Sequence, residues 1–152
     1  MKFSVIAALA ATASAAAIKR ADVDAIFDVS SFEASCVPHS SQCIYSFKLA
    51  KSGTGETEGV SCSAYVTADS GNTLPAVENG TCEQSSRTWK IVKSTDGLAL
   101  FASQQVTPAS NVTGVHQINN SELEITTPEN PNGAVQQYIG APAFTLDRPQ
   151  YE

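Results

Sequence analysis

The sequence predicts an all-β protein, an antiparallel β-barrel or β-sandwich of about 8–10 short strands with at most one short helix. Three observations carry that reading. Turn signals punctuate the chain: KSGTGE at 51–56, DSGN at 69–72, Thr95-Asp96-Gly97, and PENPNG at 128–133. Between them, apolar and polar residues alternate with a period of two, which sends successive side chains to opposite faces of a strand. After residue 20, no segment carries a capped apolar stripe of helical period over three turns. The stretch 66–80, poor in strand formers, is the one place left for a short helix.

In chain order, Met1-Lys2 supplies a positive start, and residues 3–17 (FSVIAALAATASAAA) run without charge and end in small residues. This pattern predicts a secretory signal peptide over 1–17, with Lys19-Arg20 as a dibasic site for processing to residue 20. The run falls short of the roughly 20 apolar residues of a membrane helix, so no membrane insertion is expected. Residues 21–152 then form a single β domain, with no repeat, heptad or low-complexity linker to divide it. All 15 acidic residues lie in that part, with six of the nine basic ones, for a net charge of −9. So acidic a chain has no basic patch for phosphates, which argues against nucleic acid as a partner.

The strands follow. Phe27 and Val29 open the series. Cys43, Tyr45, Phe47 and Leu49 share one face, with Ile44, Ser46 and Lys48 on the other. Beyond the KSGTGE turn, Val60, Cys62, Ala64 and Val66 form a second apolar face. Trp89 and Ile91 alternate with Lys90, so Trp89 reads as core. Asp96-Gly97 is a hairpin signal, because it accepts the positive φ of a type I′ turn. Leu98, Leu100 and Ala102 alternate after it, and Val112, Ile118, Leu123, Ile125, Val135, Tyr138, Phe144 and Leu146 complete the expected core.

Four cysteines are present: Cys36, Cys43, Cys62 and Cys82. Cys36-x-x-His39-x-x-x-Cys43 has roughly the local spacing of half a zinc site, but no C-x-x-C accompanies it. An even cysteine count in an exported chain reads as disulfides. The local pairing, Cys36–Cys43 with Cys62–Cys82, is favoured. Chain entropy gives about 2.5 kcal/mol for the short ring and about 3.3 kcal/mol for the longer one. A rival joins Cys43 to Cys62, on apolar faces of adjacent expected strands, and leaves Cys36–Cys82. In the stapled loop, Pro38 fixes its own φ and biases Val37 to extended geometry. Pro38 and His39 then stand at an exposed tip, a rigid knob for a partner.

Catalytic signals are weak. The only histidines are His39 and His116, and no Gly-x-Ser-x-Gly elbow appears. Glu56 and Glu58, like Glu122 and Glu124, read as pairs on one solvated strand face, which cannot flank a glycosidic bond between them. No cofactor or metal is expected. Three sequons, at Asn79, Asn111 and Asn119, are glycosylation candidates that must lie on the surface if used.

Residues 59–106, GVSCSAYVTADSGNTLPAVENGTCEQSSRTWKIVKSTDGLALFASQQV, resemble the secreted fungal hypersensitive-response-inducing elicitors, and distantly the Alternaria major-allergen family of β-barrels. The shared elements are the strand bearing Cys62-Ser63-Ala64, a variable loop, the returning Cys82, and a strand pair with Gly97-Leu98-Ala99-Leu100 in its second arm. The elicitor resemblance extends over nearly all of the chain after the leader, the allergen resemblance over its central third. The resemblance implies a bridge at Cys62–Cys82. It implies a non-enzymatic protein in the plant apoplast that triggers defence and cell death through a plant host protein; relatives are associated with thaumatin-like defence proteins. It supplies no catalytic residues. The later cysteine pair of the allergen family is missing here, since residues 107–140 carry none, so a ligand site or dimer interface built on that region is not transferred. The alternative function is a secreted module that binds a small ligand or the cell wall. A third class, a small hydrolase, would need His39 or His116 beside a nucleophile.

Overall fold

The computed structural model describes residues 24–127 and 133–149; the expected leader at 1–17, its dibasic site and most of the PENPNG turn lie outside them. Ten strands follow in order: β1 (Ala25–Cys36), β2 (Gln42–Lys51), β3 (Val60–Thr67), β4 (Val77–Cys82), β5 (Thr88–Ser94), β6 (Gly97–Thr107), β7 (Ser110–Asn119), β8 (Leu123–Thr126), β9 (Val135–Tyr138) and β10 (Phe144–Asp147). Strands β1 to β7 pair in sequence, β10 pairs with β7, and β10 closes back on β1. The result is a closed antiparallel barrel of eight strands, which decides between barrel and sandwich. The β8–β9 hairpin extends the sheet beyond the barrel from the second half of β1. β1 serves both neighbours because it bends: its register with β2 shifts between Ser30 and Glu33, where Ser31 has φ 52°.

An eight-stranded barrel has an interior just wide enough for side chains to fill. Here the alternating faces of β2, β5 and β6 fill it. Tyr45, Phe47, Leu49, Trp89, Ile91, Leu98, Leu100 and Ala102 are buried, as expected. Each large apolar side chain taken from water contributes about 1.5–3 kcal/mol. Trp89 lies edge-on to Phe47 and Tyr45, with centroids 5.1 and 6.0 Å away. Its indole N–H donates to the Thr81 carbonyl at 3.0 Å. Directly across the ladder is Gly80, where a Cβ would run into the indole ring. Glycine is what lets the ring lie flat over β4.

Both mouths of the barrel are closed. At one, the β3–β4 loop folds inward and buries Leu74 completely. The Tyr45 hydroxyl donates to the Pro75 carbonyl at 2.8 Å, and burial, aided by Asp69, pushes its pKa up. Gln136 of β9 brackets this loop, its amide donating to the Asn72 carbonyl and its side-chain oxygen accepting from the Leu74 amide. The short helix for which 66–80 left room is not formed: the segment holds the end of β3 and the start of β4, and tertiary bonds hold the loop between them, which has one bridge, Asp69 to Thr73. The helical residues described are instead the short 3₁₀ turn Asn120–Glu122.

At the other mouth stands Arg87, 8% exposed. It donates twice to the Glu56 carboxylate, at 2.8 Å each, and to the Leu49 carbonyl at 2.9 Å and the Gln104 side chain at 3.1 Å. Glu56 and Glu58 are thus not a solvated strand face. Both lie in the β2–β3 loop, and Arg87 draws Glu56 back over the barrel end.

Two further expectations are corrected. The Asp96-Gly97 hairpin forms, but its two-residue loop is Thr95-Asp96, and Gly97 pairs with Ser94 inside the ladder. Gly97 has φ 140°, and the Ile118 carbonyl oxygen occupies the place of a Cβ. Ile125 is 57% exposed rather than core, because β8 lies outside the barrel and has no second layer above that face.

Candidate functional site

The β1–β2 hairpin ends in a four-residue turn, Val37-Pro38-His39-Ser40. The Ser40 amide donates to the Val37 carbonyl at 3.2 Å, Pro38 takes the second position, and His39 has φ 59° in the third. That is the pattern of a type II turn with a histidine where glycine is usual. Behind the turn, Cys36 and Cys43 face each other across the ladder and are joined by a disulfide. The Val37 amide donates to the Gln42 carbonyl at 2.9 Å, and the Ala68 amide donates to the Ser41 carbonyl at 2.8 Å. The tip is therefore held by a covalent bond, its own turn and the neighbouring loop. Pro38 and His39 are exposed at its end.

Cys62 and Cys82 are likewise opposed and bonded, so the local pairing is the one formed and the rival is not. All four thiols are consumed in these bridges. The zinc reading of Cys36, His39 and Cys43 fails for that reason: a disulfide sulfur is no thiolate ligand. Among the described residues, no group of three metal-binding side chains comes together.

The outer face beside the tip carries a feature that the sequence reading missed. Ser35, Ile44 and Tyr65 oppose one another across β1, β2 and β3. Tyr65 is 73% exposed, the most open of the large apolar side chains described. Its signal was in the alternation: it stands between Ala64 and Val66, so it must point away from the face those residues share. On β3 it stands between Ser63 and Thr67 on the same outward face, and the neighbouring outward row carries Glu33 opposite Ser46 and Ser63.

His116 is elsewhere, on β7 at the seam where β10 closes the barrel. Its ring stacks on Phe144, with centroids 4.0 Å apart. Phe144 in turn packs edge-on to Phe32 and Tyr138. Burial lowers the His116 pKa, opposed by the charges of Glu122 from the 3₁₀ turn and Asp147 from β10. The structure does not bring His39 and His116 together. Asn79, Asn111 and Asn119 are all exposed.

The titrations give a prediction. Hydrogen bonds from Arg87, then from the Lys51 amide, lower the Glu56 pKa from 4.5 to about 2. The folded state thus prefers the carboxylate, and this stability is complete above pH 4.5 and is lost as the pH falls towards 2. For His116 the folded state disfavours the proton, so stability falls as the pH drops through 6.5 and levels off below the folded pKa. Urea midpoints measured from pH 8 to 2 are expected to fall in two steps, with Glu56→Gln flattening the lower and His116→Phe the upper. A midpoint unchanged between pH 5 and 3 would overturn the Glu56 assignment.

The chain matches no protein-family model, and no curated protein matches it.

Proposed function

We propose that this is a secreted, non-enzymatic elicitor or effector of a plant-associated fungus, recognised in the apoplast by a plant host protein and triggering defence and hypersensitive cell death. The observation that carries the reading is the stapled tip and its neighbour: Pro38 and His39 held rigid beside the exposed Tyr65. Binding hot spots favour a rigid aromatic on a surface that pays little ordering entropy. The leader-like N-terminus, the two disulfides and the resemblance to fungal elicitors support export and host recognition. The barrel interior is packed with its own side chains, which favours a surface-borne function over a ligand held within.

Infiltration of leaves with pure protein tests this. Cell death is expected from the native protein, and its absence at doses where an established elicitor acts would refute the reading. Tyr65→Ala is expected to weaken binding to the host protein about 30-fold, the consequence of losing a hot spot worth about 2 kcal/mol. Folding should be untouched, because the side chain is open to solvent. Replacing residues 38–41 while keeping both cysteines should act likewise. Full activity in both variants would move the recognised patch elsewhere.

A further inference from the structure

On the outer face, six hydroxyl side chains oppose one another in one row across six consecutive strands: Ser46, Ser63, Thr81, Thr88, Ser103 and Thr113. At β4 the row runs beside a furrow. The register between β4 and β5 shifts between Val77 and Gly80, so Glu78 and Asn79 both turn outward. The furrow measures about 400 Å³, within the size range of small-molecule sites. Thr81, Thr88 and Ser103 supply hydroxyls to it, and Phe101 supplies a ring. Lys90 covers that ring, with its ammonium 4.9 Å from the centroid, on an exposed and flexible stem that can swing aside. A second hollow of about 540 Å³ continues the furrow past Glu78 and Lys90.

Hydroxyl acceptors and donors beside an aromatic face are the chemistry that holds a sugar: its own hydroxyls meet the row, and its C–H face meets the negative face of the ring. The residue that opens the furrow, Asn79, is also the acceptor of the sequon Asn79-Gly80-Thr81. We propose that Asn79 carries an N-linked glycan whose first sugars lie in this furrow, against Phe101 and over Thr88 and Ser103, and pin the bulged β4 to β5. Asn111 and Asn119 share the sequon but do not line this furrow. The inference rests on export through the secretory pathway, as in the proposed function, but not on host recognition.

The test is expression in a eukaryotic host with secretion, followed by intact mass and glycopeptide mapping of native protein and Asn79→Gln. Asn79 is expected to be occupied. Native protein, and native protein trimmed enzymatically to the first N-acetylglucosamine, should both melt roughly 3–6 °C above Asn79→Gln. In a Phe101→Ala background that gap should vanish, whatever Phe101→Ala does by itself. A secreted protein with Asn79 unoccupied overturns the proposal alone. A protein retained in the cell with all three sequons empty overturns the export reading with it. Occupied Asn79 with an equal gap in both backgrounds means a glycan that swings free of the furrow, and overturns the berth. Protection of Asn79→Gln by free N-acetylglucosamine, with no effect of the attached glycan, overturns it in favour of an external saccharide.

Discussion

Trp89→Ala is expected to destabilise the protein by about 3–5 kcal/mol, the range for removing a fully packed large aromatic. Trp89 is 2% exposed and closes on Phe47, Tyr45 and the bare backbone of Gly80. Its loss leaves a hole that rigid strands on every side cannot collapse into. Domains are stable by only about 5–15 kcal/mol in total, so the variant should sit near the edge of folding. Urea denaturation followed by circular dichroism gives the value. Gly80 supplies the control. Gly80→Ala alone should cost about 1–3 kcal/mol, because the new methyl group collides with the indole. In the Trp89→Ala background the same methyl group should be neutral or helpful, because it enters the vacated space. Additive costs would mean that the two residues do not share one packing unit.

The second large effect is at Arg87. Arg87→Ala removes the donors of Glu56, Leu49 and Gln104 at one stroke. Breaking a buried pair from one side costs about 3–5 kcal/mol. The lower end applies here, because the Glu56 side chain is 27% exposed and its freed carboxylate can turn to water. Arg87→Lys should recover little, since an ammonium cannot span both carboxylate oxygens and the Leu49 carbonyl as the planar guanidinium does. Glu56→Gln should be milder, as the amide oxygen still accepts one bond. A distinctive companion result is expected: in Arg87→Ala the acid step between pH 4.5 and 2 largely disappears, because the main cause of the lowered Glu56 pKa is gone. An Arg87→Ala protein as stable as the native one would reduce the cluster to a surface contact.

Where side chains alternate on a strand buried on one face, the structure was legible in the sequence. Tyr45, Phe47 and Leu49 on β2, and Leu98, Leu100 and Ala102 on β6, point inward as their spacing requires. The disulfides were legible in part, since an even cysteine count reads as bridges and spacing favours local pairs but leaves a rival standing. The Arg87–Glu56 clasp was not. The two residues are 31 apart in sequence and meet only because the barrel brings the end of β2 and the start of β5 to one mouth. Ile125 misled because alternation marks two faces without saying whether anything covers them. Tyr65 was readable as outward-facing, but its exposure depends on what packs over the sheet there, which is set by topology. The stretch 66–80 was read from its poor strand propensity as the one place left for a short helix, whereas Gln136 and the Tyr45 hydroxyl decide the path of the loop within it.

The strand that completes the ring is β10, and it closes on β1. The pair Ala25 and Asp147 joins positions about 120 residues apart, for which loop closure alone costs about 4 kcal/mol in entropy. During synthesis, at about 5–20 residues per second, β1 to β7 emerge well before their closing partner. For those seconds the nascent sheet has two open edges, β1 and β7, each a template for pairing with another chain. Completion of the barrel is therefore a late event in the life of each molecule. The yield of folded protein should respond to anything that delays residues 144–147, even where the finished protein is unchanged.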